Sequence, residues 1–311
     1  MSGMPTLRSA GLLLCALAPG LAGCPSTQFP EVPVEMLAPG APSPPPRDQP
    51  ATPVLRFSVA AMQSPRDTHA AYSHFFDRMG RMLGVEIRFI QRRTYAEVND
   101  LLVDGQIDAA LVCTGGYLDL RRRVGQEAEV LAVPVIGGRS TYQSLVIVPA
   151  SSSASGLRDL AGKRFAFTDE LSLSGYTYAA GLVKELGSEP GTFFGSTLFT
   201  RSHDRSIEAV ANGLVDGAAV DSLVYEALAT KKGDPTSRTR VIHRSPPFGV
   251  MPIVASRRLP AETRERLRAV LLELHRDPEA AAALRTVRIE RFTLPEPHLY
   301  DSAAAVAEAS R

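Results

Sequence analysis

Three short stretches place hydroxyl or imidazole donors where a helix is about to begin: Thr114-Gly115-Gly116-Tyr117, Ser172-Leu173-Ser174-Gly175-Tyr176 and Ser202-His203-Asp204-Arg205-Ser206. The first turn of a helix carries unpaired N–H groups and the positive end of the helix dipole, so it attracts anions without a metal. Serine hydroxyls and a histidine N–H add directional donors to that field, and glycine lets the backbone approach a ligand closely. Taken singly, each stretch reads as a plain N-cap, Ser202 most of all. Taken together, they describe a metal-free pocket for a small oxyanion.

Bond-making chemistry fits less well. Ser202, His203 and Asp204 have the residue types of a hydrolytic triad, but consecutive residues at a helix start diverge, and a triad needs its base facing its nucleophile. The chain has neither a G-x-S-x-G elbow nor an H-E-x-x-H helix. Gly156 to Lys163 imitates a phosphate-binding loop with one residue too many between its glycines, and Arg164 follows where Ser or Thr belongs. No catalytic residue, metal or cofactor is expected.

The balance of charge narrows the partners. Lys+Arg 34 against Asp+Glu 33 leaves a net charge of +1 over 311 residues, which excludes a polybasic nucleic-acid binder. Arg121-Arg122-Arg123 then reads as a solvated helix face. Hydrophobic residues at 44% and charged residues at 22% are ordinary for a globular chain.

The ends of the chain differ in character. Arg8 precedes an apolar run from Ala10 to Ala18, followed by Leu21-Ala22-Gly23-Cys24. A run this short cannot span a bilayer but suits a secretory signal. Leu-Ala-Gly-Cys resembles the lipobox of bacterial lipoproteins, which implies a signal over residues 1–23 and lipidation of Cys24. Ten prolines between Pro25 and Pro53 make residues 24–53 an extended tether. Of the three cysteines, Cys113 is left without a partner and is expected as a buried thiol.

Two alternating series of strands and helices must position the donors. Leu55–Val59, Val85–Phe89, Asp108–Val112 and Val130–Val135 read as strands, with helices between them that include the stripe Tyr72, Phe75, Phe76, Met79, Leu83. Thr94 and Glu97 form a capping box. A second series has strands at Arg164–Phe167, Ser196–Thr200 and Gly217–Val220 and helices from Ser174 and Ser202. Ser144–Val148 ends at Pro149 in a serine-rich loop that suits a crossing between lobes, and Ser245-Pro246-Pro247 suits the return. The fold expected is α/β: a two-lobed clamshell, each lobe a mostly parallel sheet flanked by helices, joined by two hinge crossings. Lobe one comprises residues 54–145 and 246–311, and lobe two residues 146–245.

With these elements in place, the run from Ser202 to Ser222 resembles the signature stretch of phosphate/phosphite/phosphonate-binding proteins of ABC importers. Leu160–Phe167 resembles that family's second-lobe strand, Ser172–Tyr176 its Ser-Thr-Ser-Gly-Tyr turn, and Val241–Pro247 its return hinge. The resemblance covers Leu55 to Phe292. It implies a periplasmic-binding-protein clamshell of type II that captures an oxyanion and hands it to permease and ATPase subunits. Together with the lipobox at Cys24, it implies an exported, lipid-anchored monomer. Carried over by position, Ser172, Ser174 and the amide around Gly175 would hold the anion, joined by His203 and by Tyr117 from the first lobe. Ser140 and Thr141 stand at the first crossing as further candidates, and Arg139 reads as solvated surface.

Two departures bear on the ligand. Leu173 replaces the threonine of the turn. Leu223 and Met251 stand where members that bind aminoethylphosphonate have acidic residues, and Asp221 is nearby. A cationic tail would lack its counter-charge, so phosphate, phosphite or a simple alkylphosphonate is the expected ligand. A ligand sensor or scaffold of an envelope complex, built on the same clamshell without transport, is the alternative.

Overall fold

The computed structural model describes residues 52–310. The signal segment, Cys24 and the tether as far as residue 51 lie outside the described residues. The first series runs β1 (Val54–Val59), α1 (Pro65–Leu83), β2 (Glu86–Ile90), α2 (Tyr95–Val103), β3 (Ala109–Leu111), α3 (Thr114–Val124) and β4 (Glu129–Val135). The predicted stripe of α1 is buried at Phe75, Phe76, Met79 and Leu83, and Gly84 ends the helix at φ +68°, a backbone angle suited to glycine. The capping box opens α2 as expected. Thr94 Oγ1 accepts from the Glu97 amide at 3.2 Å, while Glu97 Oε2 accepts from the Thr94 amide at 2.9 Å.

The chain then passes through β5 (Thr141–Tyr142) into β6 (Ser144–Pro149) and a second series. This contains β7 (Arg164–Phe167), α4 (Tyr178–Glu185), α5 (Pro190–Phe193), β8 (Ser196–Phe199), α6 (His203–Ala211), β9 (Gly217–Asp221), α7 (Ser222–Leu228) and β10 (Thr239–Arg244). It returns by β11 (Phe248–Gly249) to β12 (Ile253–Ala255), α8 (Ala261–Glu273), α9 (Pro278–Thr286), β13 (Arg291–Thr293) and α10 (Asp301–Ala309).

Among the described residues these strands form a six-stranded sheet, β13-β4-β12-β3-β1-β2, and a five-stranded sheet, β10-β6-β9-β7-β8. Both are mixed rather than mostly parallel. β12 runs against β3 and β4, and β6 runs against β9 and β10. The cause lies in the connections. β12 and β6 are the strands by which the chain enters each sheet after crossing, so they arrive from the cleft end. β1, β3, β7 and β9 run toward that end and deliver their loops to it. The two sheets consequently share one layout around the cleft.

β6 pairs wholly within the second sheet, so the first crossing lies before Ser144 and not at Pro149. The two crossings pair with each other as an antiparallel ribbon, Tyr142 opposite Phe248 and Thr141 opposite Gly249. α10 adds a third link across the same region: Tyr300 Oη donates to the Val250 carbonyl at 2.9 Å and Ser310 Oγ to the Thr177 carbonyl at 3.3 Å. Each sheet has its own core, with Phe57 and Leu131 at 0% exposure in the first and Phe165 and Ile147 at 0% in the second. Burial of each such side chain contributes about 1.5–3 kcal/mol.

Candidate anion-binding site

The second lobe supplies a rigid half-site. After β7 the chain turns through Leu173–Thr177 as one wide π turn, in which the amides of Thr177 and Tyr178 donate to the carbonyls of Ser172 and Leu173. Such turns cost regular helix geometry and recur at functional sites. Ser172 Oγ accepts the Gly175 amide at 2.9 Å, and Ser144 Oγ donates to the Ser174 carbonyl at 2.7 Å. A Cβ on Gly175 would stand 2.5 Å from Thr168 Oγ1, so only glycine fits there.

Thr168 connects the turn to the start of α6, with its Oγ1 3.0 Å from His203 Nδ1. The backbone N–H of Asp221 also points at His203 Nδ1, at 3.1 Å. A nitrogen that accepts an N–H carries no proton, so the neutral ring is protonated on Nε2. His203 is 1% exposed, and burial drives its pKa down to about 3. It is therefore a neutral donor at any physiological pH.

The other half of the site comes from the first lobe and the hinge. Met62, Cys113, Thr114, Tyr142 and Met251 close over Ser172, Ser174, His203 and Asp221, leaving a cavity of about 10 Å³. That is the scale of one water-sized group. The Tyr142 phenol stands beside the hydroxyls of Thr114 and Ser174, and burial pushes its pKa up. Tyr95, 1% exposed, has a hydroxyl with no hydrogen-bond partner among the described residues, and its charge neighbours are Cys113, Asp169, Asp221 and Tyr142. Cys113 is the buried free thiol expected; its sulfur accepts the Gly116 amide at 3.1 Å.

No lysine or arginine lines this cavity. The donors are hydroxyls and one imidazole N–H. The one ionisable carboxyl is Asp221, 3% exposed, whose Oδ1 caps α7 by accepting the amides of Leu223 and Val224. Burial outweighs those two bonds and raises its pKa to about 7. Near neutrality Asp221 is thus partly protonated, and in that form it is a donor as well.

The lobes are held closed by backbone amides that donate across the cleft around the cavity. The His203 amide donates to the Met62 carbonyl at 3.0 Å and the Ser64 amide to Asp204 Oδ2 at 2.9 Å. The Tyr95 amide donates to Asp169 Oδ2 at 3.2 Å. Gly115 lies so near the opposite lobe that a Cβ would stand 2.0 Å from the Leu171 carbonyl oxygen.

Ser172, Ser174 and His203, three of the residues singled out from the sequence, come together here, while the other four are placed differently. The Gly175 amide is taken up by Ser172 and does not face the cavity. Tyr117 lies one turn down α3 from Thr114, beneath α10. There its ring packs 4.6 Å from Tyr300, and its hydroxyl accepts from Arg121 at 3.2 Å. Ser140 Oγ donates to the Pro134 carbonyl at 3.0 Å. Thr141 faces away because side chains alternate along β5, and its neighbour Tyr142 reaches the cavity instead. Leu173 is 1% exposed and belongs to the apolar core. Arg139 is on the surface, 3.4 Å from Glu226.

Comparison with known proteins agrees with this architecture. Residues 57–300 match the family model described as "ABC transporter, phosphonate, periplasmic substrate-binding protein". A phosphate-import protein, PhnD, of Mycolicibacterium smegmatis is 30% identical over 186 residues, 57% of this chain and 58% of that one. The phosphonates-binding periplasmic protein of Escherichia coli is 25% identical over 236 residues, 74% and 69% of the two chains. Among solved structures, a binding protein component of a phosphonate ABC transporter from Pseudomonas aeruginosa superposes with a TM-score of 0.77 at 22% identity, covering 83% of this chain and 87% of that one. PhnD1 of Prochlorococcus marinus in complex with methylphosphonate gives 0.72 at 21%, covering 82% and 97%. These likenesses show the two-lobed periplasmic-binding-protein fold. By the extent of the family match, the chain belongs to the periplasmic substrate-binding proteins of phosphonate ABC transporters.

Proposed function

We propose that the protein captures a phosphate-, phosphite- or phosphonate-type oxyanion between its lobes and delivers it to an ABC importer. The observation that carries this reading is the convergence of His203 Nε2–H, Ser172 and Ser174 on a cavity roofed by Thr114 and Tyr142 and free of lysine and arginine. Oriented neutral donors in a dry site stabilise an oxyanion by charge-assisted hydrogen bonds. They also leave no fixed cation to hold the ligand after the lobes part. Capture is closure of the hinge ribbon, and release is its reopening by the transporter. No covalent step is involved.

The same proposal covers the protein's address. Cys24 carries the lipid anchor on the extracytoplasmic face of the membrane, and the proline-rich segment holds a monomeric clamshell within reach of the permease. No helix among the described residues is long and apolar enough to cross a membrane. A thermal-shift panel on the full chain with phosphate, phosphite, methylphosphonate, 2-aminoethylphosphonate and sulfate tests the ligand class. A ligand at 1,000 times its Kd stabilises by about 4 kcal/mol, an upward shift of about 8–16 °C for a domain of this size. A shift with a phosphorus oxyanion is expected. No shift with any member of the panel would sink the reading.

A further inference from the structure

Beside the small anion cavity lies a chamber of about 470 Å³, also between the lobes, in the size range of drug-sized ligand pockets. Met62 and Met251 line both spaces, so these two residues stand between them. We propose that the ligand is a phosphorus oxyanion carrying an extended apolar substituent, with its headgroup among Ser172, Ser174 and His203 and its tail in this chamber. The inference rests on the oxyanion reading and specifies its substrate class.

The anion cavity, at about 10 Å³, is water-sized as it stands, so a phosphorus headgroup enters it only with a small parting of the lobes and leaves no room there for a substituent. Any tail has to leave past Met62 and Met251, unbranched side chains that change shape at little cost. Beyond them the walls are mostly apolar, with Val59 and Tyr72 from the first lobe, Leu223 and Val224 from α7 and Ile289 behind, interspersed with Gln63, Thr68 and Thr230. The charges on the chamber wall are already engaged. Asp67 pairs with Lys231 at 3.1 Å, Glu226 with Arg139 at 3.4 Å, and Arg288 donates to the Glu226 carbonyl at 2.9 Å. An ammonium group would have to compete with Lys231 for Asp67 or with Arg139 for Glu226, whereas an alkyl chain would only exchange water for hydrocarbon.

The test is calorimetric titration of the full chain with sodium methyl-, propyl-, butyl- and hexylphosphonate, and with 2-aminoethylphosphonate. Each methylene buried tightens binding about fourfold, so Kd is expected to fall stepwise from methyl to hexyl. Propylphosphonate is expected to bind more tightly than the aminoethyl compound. Ala227→Phe, on the chamber wall and away from the headgroup, should flatten the series while leaving methylphosphonate within twofold. Methylphosphonate binding with no gain along the series, or a preference for the amine, overturns the inference and leaves the oxyanion reading standing. Absence of binding by every phosphonate, and by phosphate and phosphite titrated alongside, overturns both.

Discussion

The backbone N–H of Asp221 donates to Nδ1 of His203 at 3.1 Å, and this one bond fixes the face that the imidazole turns to the cavity. It also binds the start of α6 to the end of β9, so the donor and the carboxyl that share the cavity are set by the same junction. The two groups are shifted in opposite senses by the same burial: His203 down to about 3 and Asp221 up to about 7.

The first consequence concerns affinity. A hydrogen bond from a neutral donor to an ionic ligand contributes about 1.5–3 kcal/mol, or about 10- to 100-fold in Kd. His203→Ala is expected to weaken oxyanion binding by that amount. Because the ring stays neutral, the loss should be the same at pH 5.5 and pH 8. A loss confined to low pH would show that imidazolium, and not Nε2–H, binds the anion.

The second concerns stability. His203 takes up a proton in the unfolded chain near 6.5 but in the folded chain only near 3, so its contribution is lost as pH falls from 6.5 toward 3. Asp221 ionises near 3.8 when unfolded and near 7 when folded, so its contribution is full below 3.8 and lost as pH rises through 7. Between pH 7 and pH 5 the two effects oppose each other, at about 2 kcal/mol each. The wild-type denaturation midpoint should therefore change little over this range. Asp221→Asn should become acid-labile, and His203→Gln should gain stability on acidification. Urea titrations of the three proteins at both pH values decide the matter, and parallel curves would refute the assignment.

A third concerns the anion itself. Asp221 can donate only when protonated, and above pH 7 its charge opposes the ligand. Binding at pH 8 should draw in close to one proton through this carboxyl, seen as a dependence of the binding enthalpy on the ionisation heat of the buffer. Asp221→Asn keeps the α7 cap and should lose that part of the proton uptake, leaving only what the ligand contributes. Identical uptake in both proteins would place the carboxyl outside the binding step.

How far the sequence reached follows from range. Ser172, Ser174 and His203 could be read because a helix start and its donors are encoded within about five residues, and the capping box at Thr94 for the same reason. The mixed sheets could not. β12 is three residues long, and its direction depends on where the chain re-enters the lobe. Tyr142 was hidden by strand alternation, one position from Thr141. Tyr95 was hidden more deeply. Locally it is the first helical residue inside a capping box. Only the packing of both lobes reveals a buried phenol that has no hydrogen-bond partner among the described residues and lies within electrostatic reach of Asp221. Tyr117 was carried over by position from the family's first-lobe tyrosine, whereas the turn of α3 places it under Tyr300.

The closing contact at Gly115 gives the last prediction. An added Cβ there would meet the Leu171 carbonyl oxygen at 2.0 Å, and the obstacle is backbone on the opposite lobe, which has no rotamer by which to yield. Gly115 opens α3 without a positive φ, so alanine is tolerated by the helix itself and the first lobe should fold normally. The damage falls on closure. Gly115→Ala is expected to hold the lobes apart, widening the radius of gyration in solution scattering and weakening anion binding at least tenfold, with the unliganded melting temperature little changed. If the variant closes and binds like the wild type, the approach of Gly115 to Leu171 is not what limits closure.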